Sequence, residues 1–394
     1  MRKVVFPHSG IQVGGSIISA SLIIDHLNHS PHWEAEAIYP GEGPASELYR
    51  EMNLKTSIVP IHENSIRNIH HSAGWKGKLR ALKAYRESYV SARKYLQEKR
   101  PDLVHLNDDT SILTWGVAAK KQGIPVIWHI RQEKGNHVLD TIRLRYANYL
   151  IYIAKNTSFR FEQQAAKPAS RIIYNGVNLS TYWHPAVKRE VKERLGLHPD
   201  RLLVGFVGNL KKAKRPEWFI AACIQGLEEG LDFDAIVIGE DYEGGAYRKQ
   251  LQAQIEESGF GSRIKLQGYE AHPEEWMRAM DVFGLTSVSE PFGRVVIEAM
   301  ASGAAVVATA AGGVPEILTD QEDGLLSDTN DPVHFYRQLK TLIQNASLRD
   351  QLAGKALATV HRRFSAEETS RQIQSVYDEL LYEPIPYRIG DAPR

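Results

Sequence analysis

The amino-acid sequence predicts two α/β domains, each with a parallel sheet that helices cover on both faces. Three observations lead to this fold class. The 394 residues are too many for one hydrophobic core of ordinary size. Short apolar segments alternate with helical patterns through the first half of the chain. The same alternation then starts again near residue 202.

Five apolar segments predict the strands of the first domain. In chain order they are "KVVFPH", "EAEAIY", "DLVHLN", "PVIWHI" and "YLIYIA". Nearly continuous apolar runs are typical of parallel strands, because both faces of a parallel sheet are buried. Helices are expected between these strands, notably over residues 76–99 and 110–122.

The second domain is predicted from the restart of this pattern. Its expected strands are "LLVGFVGNL", "FDAIVIG", "RIKLQGY", "VFGLTS" and "AAVVATA". Helices are expected near residues 216–229, 246–258, 273–280, 331–345 and 347–361. Open α/β sheets bind ligands at the carboxyl ends of their strands, so two of them predict a cleft between facing loops.

The bulk composition narrows the classes of function. A formal net charge of +1 gives no overall electrostatic reason to bind nucleic acid. The single cysteine excludes an intramolecular disulfide and a multi-cysteine metal site, which fits a reducing, cytoplasmic setting. The first apolar run is too short for a signal peptide, and no apolar stretch approaches the ~20 residues of a membrane span.

Positive charge is concentrated in residues 67–100. This region has ten Lys and Arg side chains against two Glu, a local excess of +8 (10 − 2). Apolar and aromatic residues recur within it at helical spacing, at Leu79, Leu82, Tyr85, Tyr89, Ala92 and Leu96. Two interpretations stay open. The region is either a helix with one buried face and one solvated basic face, or a surface for anionic lipid or an anionic acceptor.

A glycine pair, Gly14 and Gly15, follows the first strand and precedes a helix. Glycine lets the backbone approach a ligand, and the free amides of a helix N-terminus favour phosphate. The surrounding "HSGIQVGG" lacks the G-x-G-x-x-G fingerprint, which disfavours a dinucleotide-dependent dehydrogenase. A tight turn and a phosphate contact therefore both remain open for this pair.

A basic loop, "VGNLKKAKRPEW", follows the first strand of the second domain. It carries four cations, Lys211, Lys212, Lys214 and Arg215. Like charges repel one another, so a bound polyanion is one reason to collect them, and a solvated loop is the alternative. The position at the carboxyl end of a strand favours the ligand.

The stretch "SEPFGRVVIEAMASG" contains two glutamates, Glu290 and Glu298. Glu290 is expected in the loop that follows a strand, beside the amides of residues 292–295 at the start of a helix. Glu298 lies roughly 7.5 Å further along that helix than Gly293, so the two carboxylates are not an acid pair acting on one atom. Carboxylates suit the vicinal hydroxyls of sugars, although Glu298 could equally be a helix-surface charge.

Together these motifs resemble family 4 of the retaining GT-B glycosyltransferases. The family's two glutamates, separated by seven residues, are matched by "EPFGRVVIE". The segments "AMASGAAVVAT", "GGVPEIL" and "DGLL" follow in the family's order and spacing. The stretch "IIYNGVN" resembles the family's N-G-V-D element, with Asn178 in place of Asp. The resemblance is strong over residues 171–364 and weaker before them.

The resemblance implies the GT-B architecture of two Rossmann-like domains that face a central cleft. Residues 1–170 would form the N-terminal acceptor domain, and residues 171–376 would form the C-terminal nucleotide-sugar donor domain. A C-terminal helix would cross back to the first domain, which places the tail, residues 377–394, there.

The resemblance also implies roles for individual residues. Glu290 would bind hydroxyls of the donor sugar with Phe292 and Gly293, and Glu298 would bind the ribose. The residues implied for the donor diphosphate are Gly14, Gly15, Lys211, Lys214, Arg215, Arg294 and Val295. The residues implied for catalysis are Glu290, Arg131 and His129.

Two positions depart from the family pattern. The usual arginine of the family's G-R-L element is Asn209 here, and Lys211, Lys212 or Arg215 could compensate. Many relatives carry a cleft histidine at the position of Arg131. His129 lies two residues earlier and shares a strand face with Arg131, so either could reach the donor sugar.

An acidic triplet, Asn107, Asp108 and Asp109, resembles a metal-binding motif. Enzymes of this family and fold need no metal, so we expect no metal and no cofactor. The triplet is instead predicted to be a strand-to-helix loop in which Asp108 or Asp109 caps a helix.

The expected function is that of a retaining hexosyltransferase. It would move a sugar from a nucleotide-sugar donor, with UDP-sugars first, to a hydroxyl of a glycan, glycolipid or cell-surface polysaccharide precursor. Alternatives are a sugar-nucleotide epimerase or phosphorylase on the same fold, or a non-catalytic sugar-nucleotide-binding subunit. A cytoplasmic location is expected, with contact to the inner membrane face through residues 67–100 and no nucleic-acid partner.

Overall fold

A computed structural model describes residues 1–61, 74–164, 166–183, 188–242 and 244–382. The chain divides into two compact units. Unit 1 consists of residues 1–176 together with the segment that begins at Ala366, and unit 2 consists of residues 177–365. The twelve residues 62–73, which include the predicted basic residue Arg67, and the tail residues 383–394 lie outside the described residues.

Unit 1 contains a seven-stranded sheet in the order β3-β2-β1-β4-β5-β6-β7, and its strand pairs are parallel. The strands are β1 (Arg2–Pro7), β2 (Trp33–Tyr39), β3 (Thr56–Ile58), β4 (Leu103–Leu106), β5 (Val126–Ile130), β6 (Tyr149–Tyr152) and β7 (Ala169–Ile172). The α-helices are α1 (Gly15–Asn28), α2 (Pro44–Glu51), α3 (Gly74–Lys99), α4 (Trp115–Lys120), α5 (His137–Leu144) and α6 (Lys155–Ser158). Helical residues expected over 110–122 form a short 3-10 turn, Ser111–Leu113, followed by α4.

Unit 2 contains a six-stranded parallel sheet in the order β10-β9-β8-β11-β12-β13. The strands are β8 (Leu202–Val207), β9 (Phe233–Ile238), β10 (Ile264–Gly268), β11 (Val282–Leu285), β12 (Ala305–Thr309) and β13 (Leu325–Ser327). The helices are α7 (Leu179–Tyr182), α8 (Lys188–Arg194), α9 (Pro216–Glu228), α10 (Ala246–Glu257), α11 (Pro273–Ala279), α12 (Arg294–Ala301), α13 (Val314–Ile317), α14 (Pro332–Gln344) and α15 (Ala346–Arg363). The last helix of the described chain, α16 (Ala366–Tyr382), returns to unit 1.

Both domain boundaries differ from the expected ones. The first was placed after residue 170, but β7 pairs with β6 over Ala169–Ile172, so unit 1 extends to Gly176. The second was placed after residue 376, but the return to unit 1 begins at Ala366. The reason is packing: Ile373, Val376 and Tyr377 of α16 are buried in the same core as β1, β2 and α1.

Two backbone segments of unit 2, at Gly208 and Gly239, approach closely, and this approach positions the loop after β8. Gly239 has a φ of 152°, and a Cβ atom there would lie 1.9 Å from the Gly208 carbonyl oxygen. Only glycine fits that position. The amides of Gly208 and Leu210 consequently donate to the carbonyls of Ile238 and Glu240, at 2.9 and 3.0 Å. The start of the basic loop is therefore held by hydrogen bonds to the backbone at the end of β9.

Helix α3 confirms the helix expected in the basic region but not a single buried apolar face. Ala92 and Leu96 are buried, whereas Leu79 and Leu82 are 53% and 55% exposed. Apolar periodicity predicts a helix without showing which of two apolar stripes is covered. In the part of the chain that the structure describes, no helix is both long and apolar enough to cross a bilayer.

Because α16 packs in the core of unit 1, a substitution in this helix should destabilise strands and helices that are far away in the sequence. Ile373→Ala should lower the unfolding free energy of unit 1 by about 2–5 kcal/mol, because it leaves a cavity in a buried core. Hydrogen–deuterium exchange of the intact chain should then accelerate in β1 and α1 and stay unchanged in unit 2. Glu367→Ala, on an exposed position of the same helix, should change the unfolding free energy by less than about 0.5 kcal/mol. Acceleration confined to unit 2 would contradict this account of the core.

Candidate active site

Glu290 is a buried carboxylate near the carboxyl end of β11. It is 5% exposed and accepts a hydrogen bond from the Ser287 hydroxyl at 2.6 Å. The same oxygen, Oε1, forms an ion pair with the Lys214 ammonium. The structure thus brings together two residues that the sequence predicts for adjacent parts of one donor, the sugar and the diphosphate.

The loop that carries Glu290 is held by its own backbone. The Thr309 hydroxyl at the end of β12 donates to the Ser287 carbonyl at 2.6 Å. The Gly313 amide donates to the Glu290 carbonyl at 2.8 Å. A Cβ atom at Gly313 would lie 2.9 Å from the Phe292 Cα atom and from the Pro291 carbonyl oxygen, so this approach requires glycine. The "GGVPEIL" segment therefore supports the glutamate loop directly.

The basic loop is attached to the end of β11. The Thr286 hydroxyl lies 2.9 and 2.7 Å from the Lys214 and Arg215 carbonyl oxygens, and the Val288 amide donates to the Ala213 carbonyl at 2.8 Å. These contacts place the Lys214 side chain beside Glu290. Lys214 is half-buried, which leaves part of its ammonium available to a ligand.

Of the other three cations of this loop, Arg215 has contacts away from Glu290 and the two lysines, Lys211 and Lys212, are exposed. Arg215 has a left-handed backbone with a φ of 48°, and its guanidinium stacks over Trp218 at 4.1 Å. It also donates to the Thr329 carbonyl at 2.5 Å. The structure therefore ties Arg215 to the loop ahead of α14 and brings only Lys214 of the four cations to Glu290.

Helix α12 begins beside this pair. Its N-cap residue, Gly293, has a φ of 104°, a left-handed conformation that favours glycine. The preceding Phe292 is 2% exposed and packs edge-on against Phe364, with ring centroids 6.0 Å apart. This packing holds the first turn of α12, including Arg294 and Val295, next to the Glu290 loop. A helix start of this kind offers backbone N–H groups and a positive dipole end to an anion.

Glu298 lies one turn further along α12 and is also buried, at 7% exposure. Its Oε1 atom accepts two hydrogen bonds from the Arg294 guanidinium, at 2.7 and 3.1 Å. Tyr182 from α7 also hydrogen-bonds to Glu298, and burial followed by this carboxylate raises the Tyr182 pKa well above its usual value. The predicted ribose residue is thus held by two side chains, one of which the sequence did not single out.

A second polar cluster lies in unit 1, on one face of its sheet. The central strands β1, β4 and β5 each contribute two side chains at i and i+2: His8 follows Phe6, Asn107 follows His105, and Arg131 follows His129. Phe6 and His105 stack with ring centroids 4.7 Å apart. Because neighbouring parallel strands end at the same edge of a sheet, these six side chains gather at one place. We call this set the histidine cluster.

Arg131 is the centre of the histidine cluster. Its guanidinium donates to the Asn107 side-chain oxygen at 2.7 and 3.1 Å and to the Asn175 side-chain oxygen at 2.7 Å. It also donates toward His129 Nδ1 at 3.4 Å. His129 is 1% exposed, whereas Arg131 is half-buried. The two alternatives for the cleft position therefore touch each other.

The histidines of the cluster are held neutral. Burial lowers the pKa of His8 to about 3, with the Arg131 charge as the second cause. Burial and then Arg131 also place the pKa values of His105 and His129 well below 6.5. A neutral imidazole keeps one N–H donor and one acceptor nitrogen, which suits directional hydrogen bonding.

The predicted glycine pair opens α1 in unit 1. Gly14 is its N-cap, and the Gly14 carbonyl accepts from the Ile18 amide at 3.1 Å. Gly14 is exposed, and a Cβ atom there would meet nothing within 4 Å. Packing among the described residues therefore does not explain this glycine, and the free space beside it would admit a ligand.

The acidic triplet has structural partners. Asp108 accepts from the amides of Thr110 and Ser111, at 2.9 and 2.7 Å, which makes it the capping residue of the turn that follows β4. Asp109 pairs with the buried Arg160 at 2.7 Å. Among the residues that the structure describes, three potential metal ligands come within 4.8 Å of one another at Asp328, Asp331 and His334. The Asp331 carboxylate already caps α14.

Several residues around the predicted sites could not be found from the sequence. Tyr182, His105 and Tyr377 have no motif of their own, and each acts through a partner elsewhere in the chain. Asn175 belongs to the "IIYNGVN" element, but that element does not predict its contact with Arg131. The one available signal was spacing, because His105 precedes Asn107 as His129 precedes Arg131.

Comparison with known proteins gives a family-model match over part of the chain and partial matches to named proteins. A family model described as "Glycosyl transferases group 1" matches residues 187–358. The mannosyltransferase LpsB of lipopolysaccharide core biosynthesis from Rhizobium meliloti is 30% identical over 53% of this chain and 61% of its own length. Spore coat protein SA of Bacillus subtilis is 26% identical over 72% of this chain and 80% of its own length. A D-inositol 3-phosphate glycosyltransferase from Nocardioides is matched over 47% of its length. The chain therefore spans about half of the length of this relative and about three fifths of the length of LpsB.

Solved structures cover nearly the whole chain. Anabaena HepE in complex with UDP and glucose superimposes with a TM-score of 0.80 at 22% identity, over 96% of this chain and 100% of that one. Sucrose-phosphate synthase from Thermosynechococcus elongatus gives 0.77 at 18% identity, over 96% and 99%. At these identities the likeness shows the fold, and it confirms the expected GT-B fold class.

The neutral histidines predict a steep loss of stability in mild acid. Between about pH 6 and pH 5 the unfolded chain binds protons at His8, His105 and His129 that the folded chain does not bind. The unfolding free energy of unit 1 should therefore fall with falling pH, by up to about 4 kcal/mol per pH unit, or about 1.4 for each histidine. Urea unfolding followed by hydrogen exchange of unit 1 peptides measures this slope.

His8→Gln should reduce that slope by about one third, because one of the three protons is then absent. His137→Gln is the matched control, since His137 is exposed and its imidazole stays in water in both states. A slope that His8→Gln leaves unchanged would show that the imidazole of His8 titrates alike in the folded and unfolded chain.

Proposed function

We propose that this chain is a retaining glycosyltransferase of family 4, and the match of residues 187–358 to the family model of glycosyl transferases group 1 supports this proposal. It would transfer a hexose from a nucleotide-sugar donor to a hydroxyl of an acceptor. The observation that carries the proposal is the buried pair of Glu290 and Lys214 beside the start of α12. Such a place offers one ligand a carboxylate that accepts from hydroxyls, a cation and the backbone amides of a helix start.

Glu290 and Lys214 would bind different parts of the donor. The Glu290 carboxylate would accept hydrogen bonds from hydroxyls of the sugar, with Phe292 and Gly293 shaping the site. Lys214 would bind the diphosphate, together with the amides of Arg294 and Val295. Since Lys214 and Glu290 are paired in the free protein, a bound diphosphate would take the ammonium and leave the carboxylate to the sugar.

Arg294 and Glu298 would bind the nucleoside side of the donor. The Glu298 carboxylate is oriented by two bonds from Arg294 and by Tyr182, which suits bidentate acceptance from the two ribose hydroxyls. Lys211 is exposed and would supply the charge that Asn209 lacks, whereas Arg215 is bound to residues 329–330. We therefore propose Lys211 rather than Arg215 as the compensating cation.

The chemical step would rest on electrostatic stabilisation of the leaving diphosphate. Lys214 and the amides at the start of α12 are placed where negative charge would build on that group, and preorganised donors of this kind are usually the largest catalytic contribution. We propose retention at the anomeric carbon and no metal requirement, with Glu290 orienting the sugar rather than forming a covalent intermediate.

In unit 1, Arg131 and His129 would contact the donor sugar, and the amides after Gly14 and Gly15 would contact its diphosphate. The half-buried guanidinium of Arg131 and the open space at Gly14 support these two roles. UDP-sugars are the first donors to test, in agreement with the UDP complex of HepE. A glycan, glycolipid or polysaccharide precursor is the proposed acceptor, in agreement with the lipopolysaccharide-core role of LpsB.

Helix α3 supports contact with an anionic membrane. Its outward face carries four exposed apolar side chains spaced along the helix, namely Trp75, Leu79, Leu82 and Val90, at 68%, 53%, 55% and 53% exposure. Exposed cations lie between and beside them at Lys76, Lys83, Arg86, Arg93 and Lys94. An apolar stripe flanked by Lys and Arg suits the boundary between acyl chains and anionic headgroups. We propose that the chain acts at the cytoplasmic face of a membrane through this helix.

The assignment of Glu290 predicts a selective loss of transfer. Glu290→Gln should lower kcat for glycosyl transfer by at least about tenfold, because a neutral amide is a weaker and less versatile acceptor for the sugar hydroxyls. A thermal-shift panel of UDP-, GDP- and ADP-sugars identifies the donor, since a ligand that binds the folded state raises Tm. The Tm shift given by the free nucleoside diphosphate should persist in Glu290→Gln.

Glu257→Gln on the exposed face of α10 is the matched control and should keep full activity. Near-normal turnover of Glu290→Gln would refute the role given to this carboxylate. Formation of an epimer without acceptor, or dependence on inorganic phosphate, would instead indicate the epimerase or phosphorylase alternative, and binding without turnover would indicate a non-catalytic subunit.

The membrane proposal predicts binding to anionic vesicles. The intact chain should co-sediment with vesicles of phosphatidylserine and phosphatidylcholine, and much less with phosphatidylcholine alone. The double variant Leu79→Ser with Leu82→Ser should weaken this binding at least about tenfold, at roughly 1 kcal/mol for each half-exposed leucine. Val138→Ser removes an even more exposed apolar side chain elsewhere in unit 1 and should have no effect. Equal binding of both variants would exclude α3 as the membrane contact.

A further inference from the structure

A buried chain of hydrogen bonds joins α16 to the histidine cluster. The Tyr377 hydroxyl lies 2.6 Å from His105 Nδ1, and His105 Nε2 lies 3.1 Å from His129 Nδ1. All three side chains are buried, with at most 1% exposure. The contact between Tyr377 and His105 spans 272 residues of sequence and exists only because α16 packs on the sheet of unit 1. The contact between His105 and His129 joins the neighbouring strands β4 and β5.

The donor in each of these hydrogen bonds follows from Arg131. A guanidinium can only donate, so its contact with His129 Nδ1 makes that nitrogen an acceptor. A neutral imidazole has one proton, which must then be on His129 Nε2. His105 Nε2 consequently donates to His129 Nδ1, His105 Nδ1 is an acceptor, and the Tyr377 hydroxyl donates to it. The low pKa values of His105 and His129 agree with neutral rings.

Two buried donors of the cluster have no acceptor among the residues that the structure describes. They are His129 Nε2 and Asn107 Nδ2. Both side chains are bound to Arg131 through their other polar atom, which fixes the direction of each donor. A buried donor without a partner costs free energy, and it persists where a ligand supplies the acceptor.

We propose that Tyr377 and His105 are positioning residues that hold His129 as its Nε2–H tautomer, and that His129 Nε2 and Asn107 Nδ2 donate to an oxygen atom of the bound sugar. The sugar contact rests on the proposed function, whereas the tautomers do not. Asn107 thereby becomes a substrate-binding residue and not part of a metal site. Helix α16 thereby contributes to the site through Tyr377 without contacting the ligand.

The tautomers can be measured without any ligand. Two-bond ¹H–¹⁵N spectra of the intact chain, labelled with ¹⁵N-histidine and assigned with His105→Gln and His129→Gln, should show both rings neutral and protonated at Nε2. Tyr377→Phe should add a second tautomer population at His105, while Tyr95→Phe, which removes another buried hydroxyl of unit 1, should not. A proton on His129 Nδ1 in the unaltered chain would overturn the proposal.

Activity gives the second readout. Tyr377→Phe should lower kcat about five- to tenfold, the equivalent of one hydrogen bond, with KM for the donor changed less than about twofold and Tm close to that of Tyr95→Phe. Equal kcat in the Tyr377→Phe and Tyr95→Phe variants would refute the positioning role.

The sugar contact has its own test. Asn107→Asp keeps the oxygen that Arg131 binds but removes the Nδ2 donor, and it should weaken donor binding about tenfold. The nucleotide sugar with the largest thermal shift should move the His129 Hε2 signal, whereas the same nucleoside diphosphate alone should not. A signal that both ligands leave in place would refute the contact. If no nucleotide sugar binds, the proposed function and the sugar contact fail together, and the tautomer spectra still decide the roles of Tyr377 and His105.

Discussion

Burial of both faces of each sheet leaves the carboxyl ends of the strands as the places where polar side chains can be presented. The central strands β4, β5, β8 and β11 are mostly apolar within their spans, and several functional candidates stand just beyond strand ends: Asn107 after β4, Arg131 after β5 and Glu290 after β11. Parallel strands bring all such ends to one edge. The sites in the two units are therefore consequences of the same constraint, and their chemistry depends on which side chains the loops supply.

In unit 2 that chemistry is ionic. A buried carboxylate is costly unless it has a cation or several donors, and Glu290 has both, from Lys214 and Ser287. Glu298 is satisfied in the same way by Arg294. Two charged pairs thus sit eight residues apart on one loop and helix. An incoming polyanion could replace Glu290 as the partner of Lys214, and the carboxylate would then keep its hydrogen bond from Ser287 and accept the sugar hydroxyls. The free protein is in this sense already arranged around the charges of its proposed donor.

The sequence predicted what is encoded locally. The α/β pattern, the order of the strands and the Glu290–Glu298 motif depend on residues close together in the chain, and the structure has them where they were expected. The roles of Tyr182 and Tyr377, and the contact of Asn175 with Arg131, were missed because these residues meet their partners only after folding, in the case of Tyr377 and His105 across 272 residues. The short strands β3, β7 and β13 were missed for a related reason, since three or four residues carry too little periodicity. The sequence left open whether Leu79 and Leu82 meet the core, because periodicity does not say which stripe of a helix is buried.

Arg131, which stands where the family pattern has a histidine, helps to keep the neighbouring imidazoles of unit 1 neutral. Where many relatives are expected to carry a histidine, this chain has a permanent cation, and its charge lowers the pKa values of His8, His105 and His129 in addition to burial. Protonation of any of them would place a second positive charge beside the guanidinium. Each ring therefore retains one acceptor nitrogen, and a directional chain from Tyr377 to His129 depends on that acceptor. A histidine at position 131 would remove the fixed charge and the fixed donor together. Burial is thus the first cause of the lowered pKa values and the arginine the second, while the arginine also fixes the hydrogen-bond direction at His129.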